Sequence, residues 1–195
     1  DWCAALLDER LPENRELQII RGSVDHLRAL LQRTRMHTGR VVLNPGDCDV
    51  RALFEQIIRE TPHTDALRIE IDRCDDAPLY CDPSHVREAL TNLVGNAVEA
   101  MRGSGRITLS YVRTAHKASI SVCDDGPGMT PAAQKRIFEP YYTTKTSGEN
   151  FGLGLYYCQN VMNVHEGSIR VSSAPGKGCT FTLIFPLAAQ GRRKP

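Results

Sequence analysis

The chain has 195 residues and a formal net charge of +1, with 41% hydrophobic and 24% charged residues. Its length and composition are typical of one globular domain with an additional element, and its charge gives no reason to expect a nucleic-acid or membrane-surface partner. No apolar run approaches the length of a membrane span and no signal-peptide pattern opens the sequence, so we expect these residues to be soluble.

Seven cysteines are scattered along the sequence without a CxxC pair or a Cys/His cluster. Their odd number and their spacing favour neither a disulfide framework nor a metal site. We interpret them as reduced thiols that pack as small hydrophobic residues, as in a cytosolic protein. We therefore expect a cytoplasmic location, which would also fit the cytoplasmic portion of a membrane-anchored parent.

The first part of the chain has a helical pattern between residue 14 and about residue 39. Its apolar residues recur at alternating spacings of four and three, which is typical of a helix that packs against other helices. These residues are Ile20, Val24, Leu27 and Leu31. Residues 41–49 contain Asn-Pro-Gly and are predicted to form a turn-rich linker, so we place a domain boundary there.

The rest of the sequence predicts alternating helices and strands. Helices are predicted over 50–60, from residue 82 to about 101, and from the FGLGL stretch to about residue 164. The second of these opens with Asp82 as N-cap and Pro83 at the first helical position. Strands are predicted at 67–72, 106–112, 118–124, 168–173 and 179–185. This order predicts an α+β fold, a two-layer sandwich with helices on one face of a mixed sheet.

Two asparagines stand out on the predicted helix 82–101. Asn92, Asn96 and Glu99 share one helix face, roughly opposite the apolar stripe. Asparagine is only a middling helix former, and a mid-helix glycine such as Gly95 costs about 1 kcal/mol relative to alanine. Taken alone, the pattern also fits a solvated surface. Only the neighbouring motifs can indicate whether this helix face binds a ligand.

Three glycine pairs follow this helix. Gly126 and Gly128 in DDGPGM come directly after a strand, where they let the backbone approach a flat ligand or turn sharply. FGLGL at 151–155 opens a helix, whose free N–H groups can approach phosphate oxygens. Gly176 and Gly178 lie between the two closing strands, where a hairpin turn is the ordinary interpretation.

The order of these motifs resembles a known family. NLVGNAVEAM, DDGPGM, IFEPYYTTK, FGLGL and GKGCTF are similar to the N, G1, F, G2 and G3 boxes of the catalytic ATP-binding domain of sensor histidine kinases, in the GHKL superfamily. The resemblance covers about residues 46–187 and implies the Bergerat-type ATP-binding fold. Residues 1–40 then resemble the second helix of a dimerisation and phosphotransfer hairpin, and 188–195 form a tail.

The resemblance also implies roles for individual residues. In the family, the asparagine that matches Asn96 gives an oxygen ligand to Mg²⁺, and Asn92 lies one turn earlier on the same wall. The aspartate that matches Asp124 accepts a hydrogen bond from the adenine amine. The remaining implied ATP-binding positions are Gly126, Gly128, Lys145, Gly152, Leu153, Gly154, Leu155 and Thr180.

The identity of residue 92 favours one chemistry within the superfamily. Gyrase-type and chaperone-type ATPases have a glutamate at the position of Asn92 that acts as general base, and an amide cannot take that proton. Asn92 therefore favours γ-phosphoryl transfer to a protein histidine, with ATP and Mg²⁺ as cofactors. A GHKL ATPase switch, a serine-kinase-like anti-sigma regulator and a nucleotide-binding scaffold without transfer activity stay open as alternatives.

Three positions depart from the family pattern. Glu99 stands where many of these kinases have a lysine, so Lys145 or Arg136 would supply the positive charge at the phosphates. Asn150 replaces the first glycine of the usual GxGLGL. Cys179 stands where a threonine is expected after the last glycine, with Thr180 next.

The family's phosphoacceptor motif, the H-box, is not found in the sequence. His26 lies within the predicted second hairpin helix and lacks the surroundings of that motif. We therefore expect the acceptor histidine on residues outside this chain. The expected partners are that histidine-containing hairpin of the parent kinase dimer and a response regulator, with no nucleic acid and no direct membrane contact.

Overall fold

The computed structural model describes residues 43–62, 65–143 and 152–187. The predicted N-terminal helix with His26, the tail at 188–195, and the positions Lys145 and Asn150 lie outside the described residues.

The described residues form four helices and seven strands. The helices are α1 (Val50–Glu60), α2 (Pro83–Ala100), α3 (Pro131–Arg136) and α4 (Gly154–Val164). The strands are β1 (Gly46–Cys48), β2 (Leu67–Cys74), β3 (Leu79–Cys81), β4 (Gly105–Arg113), β5 (Lys117–Asp124), β6 (Ser168–Ser173) and β7 (Cys179–Pro186). The three helices predicted after residue 49 and the five predicted strands are confirmed to within one or two residues at each end, with α4 starting inside the FGLGL stretch.

Five of these strands form one mixed sheet in the order β2-β4-β5-β7-β6. β2 pairs with β4 in parallel, and the other neighbouring pairs are antiparallel. β1 and β3 form a separate antiparallel pair. The mixed sheet and the α+β class are therefore confirmed.

Alternation along the central strands separates a buried face from a half-exposed one. The buried side chains of the sheet include Ile107, Leu109, Tyr111, Ile120, Val122, Phe181, Leu183 and Phe185. The helices contribute Phe54, Leu90, Leu93 and Met162 to the same core. The opposite face of the sheet has short hydroxyl side chains, among which Ser121 and Thr182 hydrogen-bond at 3.0 Å. Such a face needs no second layer of helices.

Three short elements differ from the sequence prediction. β1 lies inside the stretch predicted as a linker, and β3 and α3 fall where no element was predicted. Strands of three residues are too short to show an alternating pattern. β1 and β3 form because they pair with each other, with Cys48 opposite Leu79, which only the folded chain brings together.

The start of α2 is fixed by the predicted N-cap, Asp82. Its buried carboxylate accepts hydrogen bonds from the backbone N–H groups of Asn44 at 2.8 Å, Ser84 at 3.0 Å and His85 at 3.1 Å. Burial alone would raise the pKa of Asp82, but these hydrogen bonds outweigh it and lower the pKa below its ordinary value. An ionised cap at a helix N-terminus also suits the helix dipole.

Candidate functional site

One end of the candidate site lies where α2 meets the first turn of α4. The Asn92 amide donates from Nδ2 to the Glu88 carbonyl at 3.1 Å, which directs its Oδ1 toward α4. A Cβ placed on Gly154 would lie 3.2 Å from this oxygen, so the missing side chain at residue 154 makes room for Asn92. The N-cap residue of α4 makes no side-chain cap hydrogen bond, and among the described residues no other side chain caps this helix, whose first residues include the half-buried Leu155. Its first N–H groups therefore lie beside Asn92.

Asn96 follows one helical turn later on the same face of α2. It is half-buried, and its side-chain amide makes no hydrogen bond within 43–62, 65–143 and 152–187. An amide oxygen with no partner among these residues suits Mg²⁺, which takes few protein ligands and keeps water and phosphate oxygens around it. The described part of the chain has no cluster of three or more His, Cys, Asp or Glu side chains for a metal.

Polar contacts hold α4 against α2 along the length of both helices. Beyond the close approach of Asn92 to Gly154, the Tyr157 hydroxyl donates to the Glu88 carboxylate. Near the far end, the Asp82 N–H donates to His165 Nε2 at 3.0 Å. Residue numbers fall along α2 as they rise along α4, so the two helices are antiparallel.

The other end of the site is Asp124, the last residue of β5. Its buried Oδ1 accepts from the backbone N–H groups of Gly126 at 3.0 Å and Cys179 at 3.2 Å. Burial raises the pKa of this carboxyl, while the two N–H groups act in the opposite direction. Since both described hydrogen bonds use Oδ1, Oδ2 is left as the acceptor for a ligand. A buried carboxylate with a raised pKa is typical of a functional site.

The two ends are joined by α2. A Cβ on Gly126 would lie 3.1 Å from Met101 Cγ, directly after the last residue of α2. Asn92 and Met101 are nine residues apart, which corresponds to about 13 Å along a helix. One wall therefore runs from the uncapped start of α4, past Asn92 and Asn96, to Asp124.

The G1 and G3 loops pack backbone against backbone beside Asp124. The Gly178 N–H donates to the Gly126 carbonyl at 3.0 Å, and Gly128 has a φ of 68°. A Cβ on Gly128 would lie 2.0 Å from the carbonyl oxygen of Ala174, and one on Gly178 would lie 1.9 Å from that of Asp124. Gly128 and Gly178 therefore serve contact between loops, while Gly126 borders the Asp124 carboxylate.

We expect Gly178→Ala to lower the free energy of unfolding by more than about 3 kcal/mol. The left-handed φ alone costs about 1 to 3 kcal/mol, and the clash with the Asp124 backbone adds to it. Gly176→Ala is the matched control, because Gly176 has a φ of 73° but no atom within 4 Å of the added Cβ. Urea unfolding of both variants checks this. Equal losses would contradict the role of loop packing.

Thr180 is not brought to the site. Asp124 pairs with Cys179 across β5 and β7, so these two side chains lie on the buried face, whereas Thr180 pairs with Cys123 on the opposite face. The residue beside the carboxylate is therefore Cys179, whose Sγ lies 3.1 Å from Ser173 Oγ. Strand alternation could have shown this, because residues 124 and 179 are both inward positions.

The F box supports the entry to α4. The Tyr141 N–H donates to the Gly152 carbonyl at 3.1 Å, and a Cβ on Gly152 would lie 2.5 Å from the Tyr142 carbonyl oxygen. Arg136 forms an ion pair with Glu139 at 3.0 Å and its guanidinium lies 4.5 Å from the centre of the Tyr142 ring. Arg136 therefore braces this segment. Leu153 follows Gly152 as the N-cap of α4.

Among the described residues, no helix is both long enough and apolar enough to span a membrane.

Comparison with known proteins identifies the family to which this fold belongs. Residues 81–189, more than half of the chain, match the family described as histidine kinase-, DNA gyrase B-, and HSP90-like ATPase. The signal transduction histidine-protein kinase AtoS of Escherichia coli (strain K12) is 41% identical over 118 residues, which are 60% of this chain and 19% of that protein. The chain thus spans about a fifth of this relative.

Solved structures agree. Full-length ShkA in complex with AMPPNP has a TM-score of 0.76 at 26% identity, covering 88% of this chain and 38% of that one. The catalytic domain of histidine kinase ThkA has a TM-score of 0.63 at 25% identity, covering 74% of this chain and 98% of that one. This chain therefore belongs to the histidine kinase-, DNA gyrase B- and HSP90-like ATPases and contains the ATP-binding catalytic domain of a histidine kinase.

Proposed function

We propose that this chain binds ATP with Mg²⁺ and transfers the γ-phosphoryl group to a histidine on a helical hairpin of its parent kinase. The observation that supports transfer over hydrolysis is Asn92. Its amide is held by the Glu88 carbonyl and faces the start of α4, where the phosphates would lie. Because an amide cannot act as general base, no group at this position activates water.

The adenine end of the site is Asp124. Its Oδ2 would accept the exocyclic amine of adenine, whereas guanine would present a carbonyl oxygen to the same carboxylate. Gly126 would border the base, and Cys179 takes the place proposed for Thr180. The AMPPNP bound by ShkA, an ATP analogue, is consistent with adenine nucleotide binding.

The phosphate end is formed by the first turn of α4 and by α2. The helix starts at Gly154, directly after Gly152 and Leu153. Its first N–H groups, which are uncapped, would bind phosphate oxygens. Asn96 would hold Mg²⁺, which neutralises and orients the phosphates when bound. Lys145 would supply positive charge, since Arg136 is engaged by Glu139 and Tyr142.

The organisation of the parent protein is part of the same proposal. Residues 1–40 would belong to the dimerisation hairpin, 46–187 to the catalytic domain and 188–195 to a tail. The phosphohistidine would then pass its phosphoryl group to a response regulator in the cytoplasm. Gly128 and Thr180 have no direct part in this scheme, whereas the Leu155 N–H is one of the first N–H groups of α4 that would bind phosphate.

The test is transfer of label from γ-³²P-ATP to a hairpin that contains the parent's histidine. We expect acid-labile label on the hairpin with this chain, and none with Asp124→Asn. Steady release of phosphate without labelling would favour an ATPase switch instead. Nucleotide binding without either reaction would favour a scaffold.

A further inference from the structure

The Tyr157 side chain is buried between α2 and α4, and its hydroxyl contacts two ionisable residues of α2. It donates to the Glu88 carboxylate and lies 3.1 Å from His85 Nδ1. A buried tyrosine hydroxyl usually finds a hydrogen-bond partner, and here it has two on consecutive turns of the same helix.

The direction of these hydrogen bonds follows from the chemistry of the groups. Burial, together with the hydrogen bond to the Glu88 carboxylate, raises the pKa of Tyr157, so its oxygen retains its proton. A carboxylate only accepts, so the single Tyr157 proton goes to Glu88. The Tyr157 oxygen then accepts from His85 Nδ1–H. The three side chains form one directed chain of hydrogen bonds.

This series of hydrogen bonds ends beside the wall of α2 that contains Asn92 and Asn96. Glu88 is the residue whose backbone carbonyl accepts from the Asn92 amide. Tyr157 lies three residues after Gly154, whose Cα faces Asn92 Oδ1. The pair Tyr157 and Glu88 is therefore one helical turn from the pair Gly154 and Asn92 in the same helix interface.

We propose that Tyr157 is a positioning residue for phosphate binding, because its hydroxyl fixes the register of α4 against α2 through Glu88. The register determines whether the first N–H groups of α4 and the amides of Asn92 and Asn96 face the same point. A hydrogen bond to a charged carboxylate adds a directional constraint on this register beyond the packing of the aromatic ring. This inference rests on the proposed nucleotide site.

The test uses Tyr157→Phe, which removes the hydroxyl and keeps the ring. The matched control is Tyr156→Phe, the same change one residue earlier, where the hydroxyl makes no hydrogen bond within the described residues. Calorimetry would measure the affinity for Mg²⁺ with AMPPNP, and separately for adenosine. We expect Tyr157→Phe to weaken the magnesium nucleotide by about fivefold or more and to leave adenosine unchanged, because adenosine binds at the Asp124 end.

A second pair of variants distinguishes positioning from packing. Glu88→Gln keeps an oxygen that accepts from Tyr157, whereas Glu88→Leu removes it, so Gln should lose clearly less magnesium-nucleotide affinity than Leu. Equal affinities in wild type and Tyr157→Phe would overturn the inference, as would a parallel loss for adenosine. If Asp124→Asn and Asn96→Ala also bind normally, the proposed site itself is wrong. If only those two lose affinity, the site stands and the role of Tyr157 does not.

Discussion

Replacing Asp124 with asparagine is expected to remove most of the ATP affinity while leaving the domain folded. The Asp124 Oδ1 is held by the N–H groups of Gly126 and Cys179, so the asparagine must keep its oxygen there. Its Nδ2 then replaces Oδ2 and points a donor at the adenine amine. Such a mismatch costs about 1 to 3 kcal/mol, which is about fivefold to 150-fold in affinity.

The same substitution should change how stability depends on pH. Burial raises the pKa of Asp124, so the folded state binds this proton more tightly than the unfolded state. The stabilisation that results is present below the unfolded pKa and is lost as pH rises through the folded pKa. Asparagine does not titrate, so at neutral pH Asp124→Asn should be at least as stable as wild type.

Calorimetry with ATP and thermal unfolding across the acid range check both results. Asp125→Asn is the matched control, because Asp125 is exposed and its carboxylate accepts instead from the Arg106 N–H at 2.9 Å. Equal ATP affinity in wild type and Asp124→Asn would refute the adenine assignment. A gain of GTP binding by the variant would support it further.

Asn96→Ala should remove the magnesium dependence of nucleotide binding and leave the fold intact. The side chain is half-buried and makes no hydrogen bond to another described residue, so its loss leaves no partner unsatisfied. With one metal ligand lost, ATP affinity in Mg²⁺ should fall toward the affinity measured in EDTA, by about 1 to 3 kcal/mol.

The measurement is ATP affinity with and without Mg²⁺, with circular dichroism as a check of folding. Asn163→Ala is the control, since Asn163 is an exposed helical asparagine near the end of α4. An Asn96→Ala variant that unfolds would show a structural role for this residue. One that binds magnesium ATP normally would show that the metal lies elsewhere.

Elements with a clear period could be predicted from the sequence. The bounds of α1 agree with its apolar spacing, and α2 begins where Asp82 and Pro83 predict. The closing strands β6 and β7 agree with their alternation. In each case the signal is local, because the spacing or cap that predicts the element lies within the element or directly beside it.

Contacts between distant segments could not be predicted in this way. Three contacts join residues that are far apart in sequence. They are the parallel pairing of β2 with β4, the contact of Gly178 with the backbone of Asp124, and the hydrogen bond from Tyr157 to Glu88. For the candidate site, the family resemblance implied Asp124 and Asn96, whose roles stay predictions. It also implied Thr180, although strand alternation places Cys179 on the face of Asp124. No local pattern shows that Tyr157 has a partner on α2.

The parallel pairing of β2 with β4 has a consequence for the energetics of the whole domain. The chain between these two strands includes α2, so α2 is part of the crossover connection of a parallel pair. Closing this loop costs chain entropy that the sheet contacts must offset. A ligand on α2 therefore stabilises the sheet as well as the helix, in proportion to the logarithm of its free concentration over its dissociation constant. Nucleotide binding is therefore expected to raise the free energy of unfolding of the entire domain.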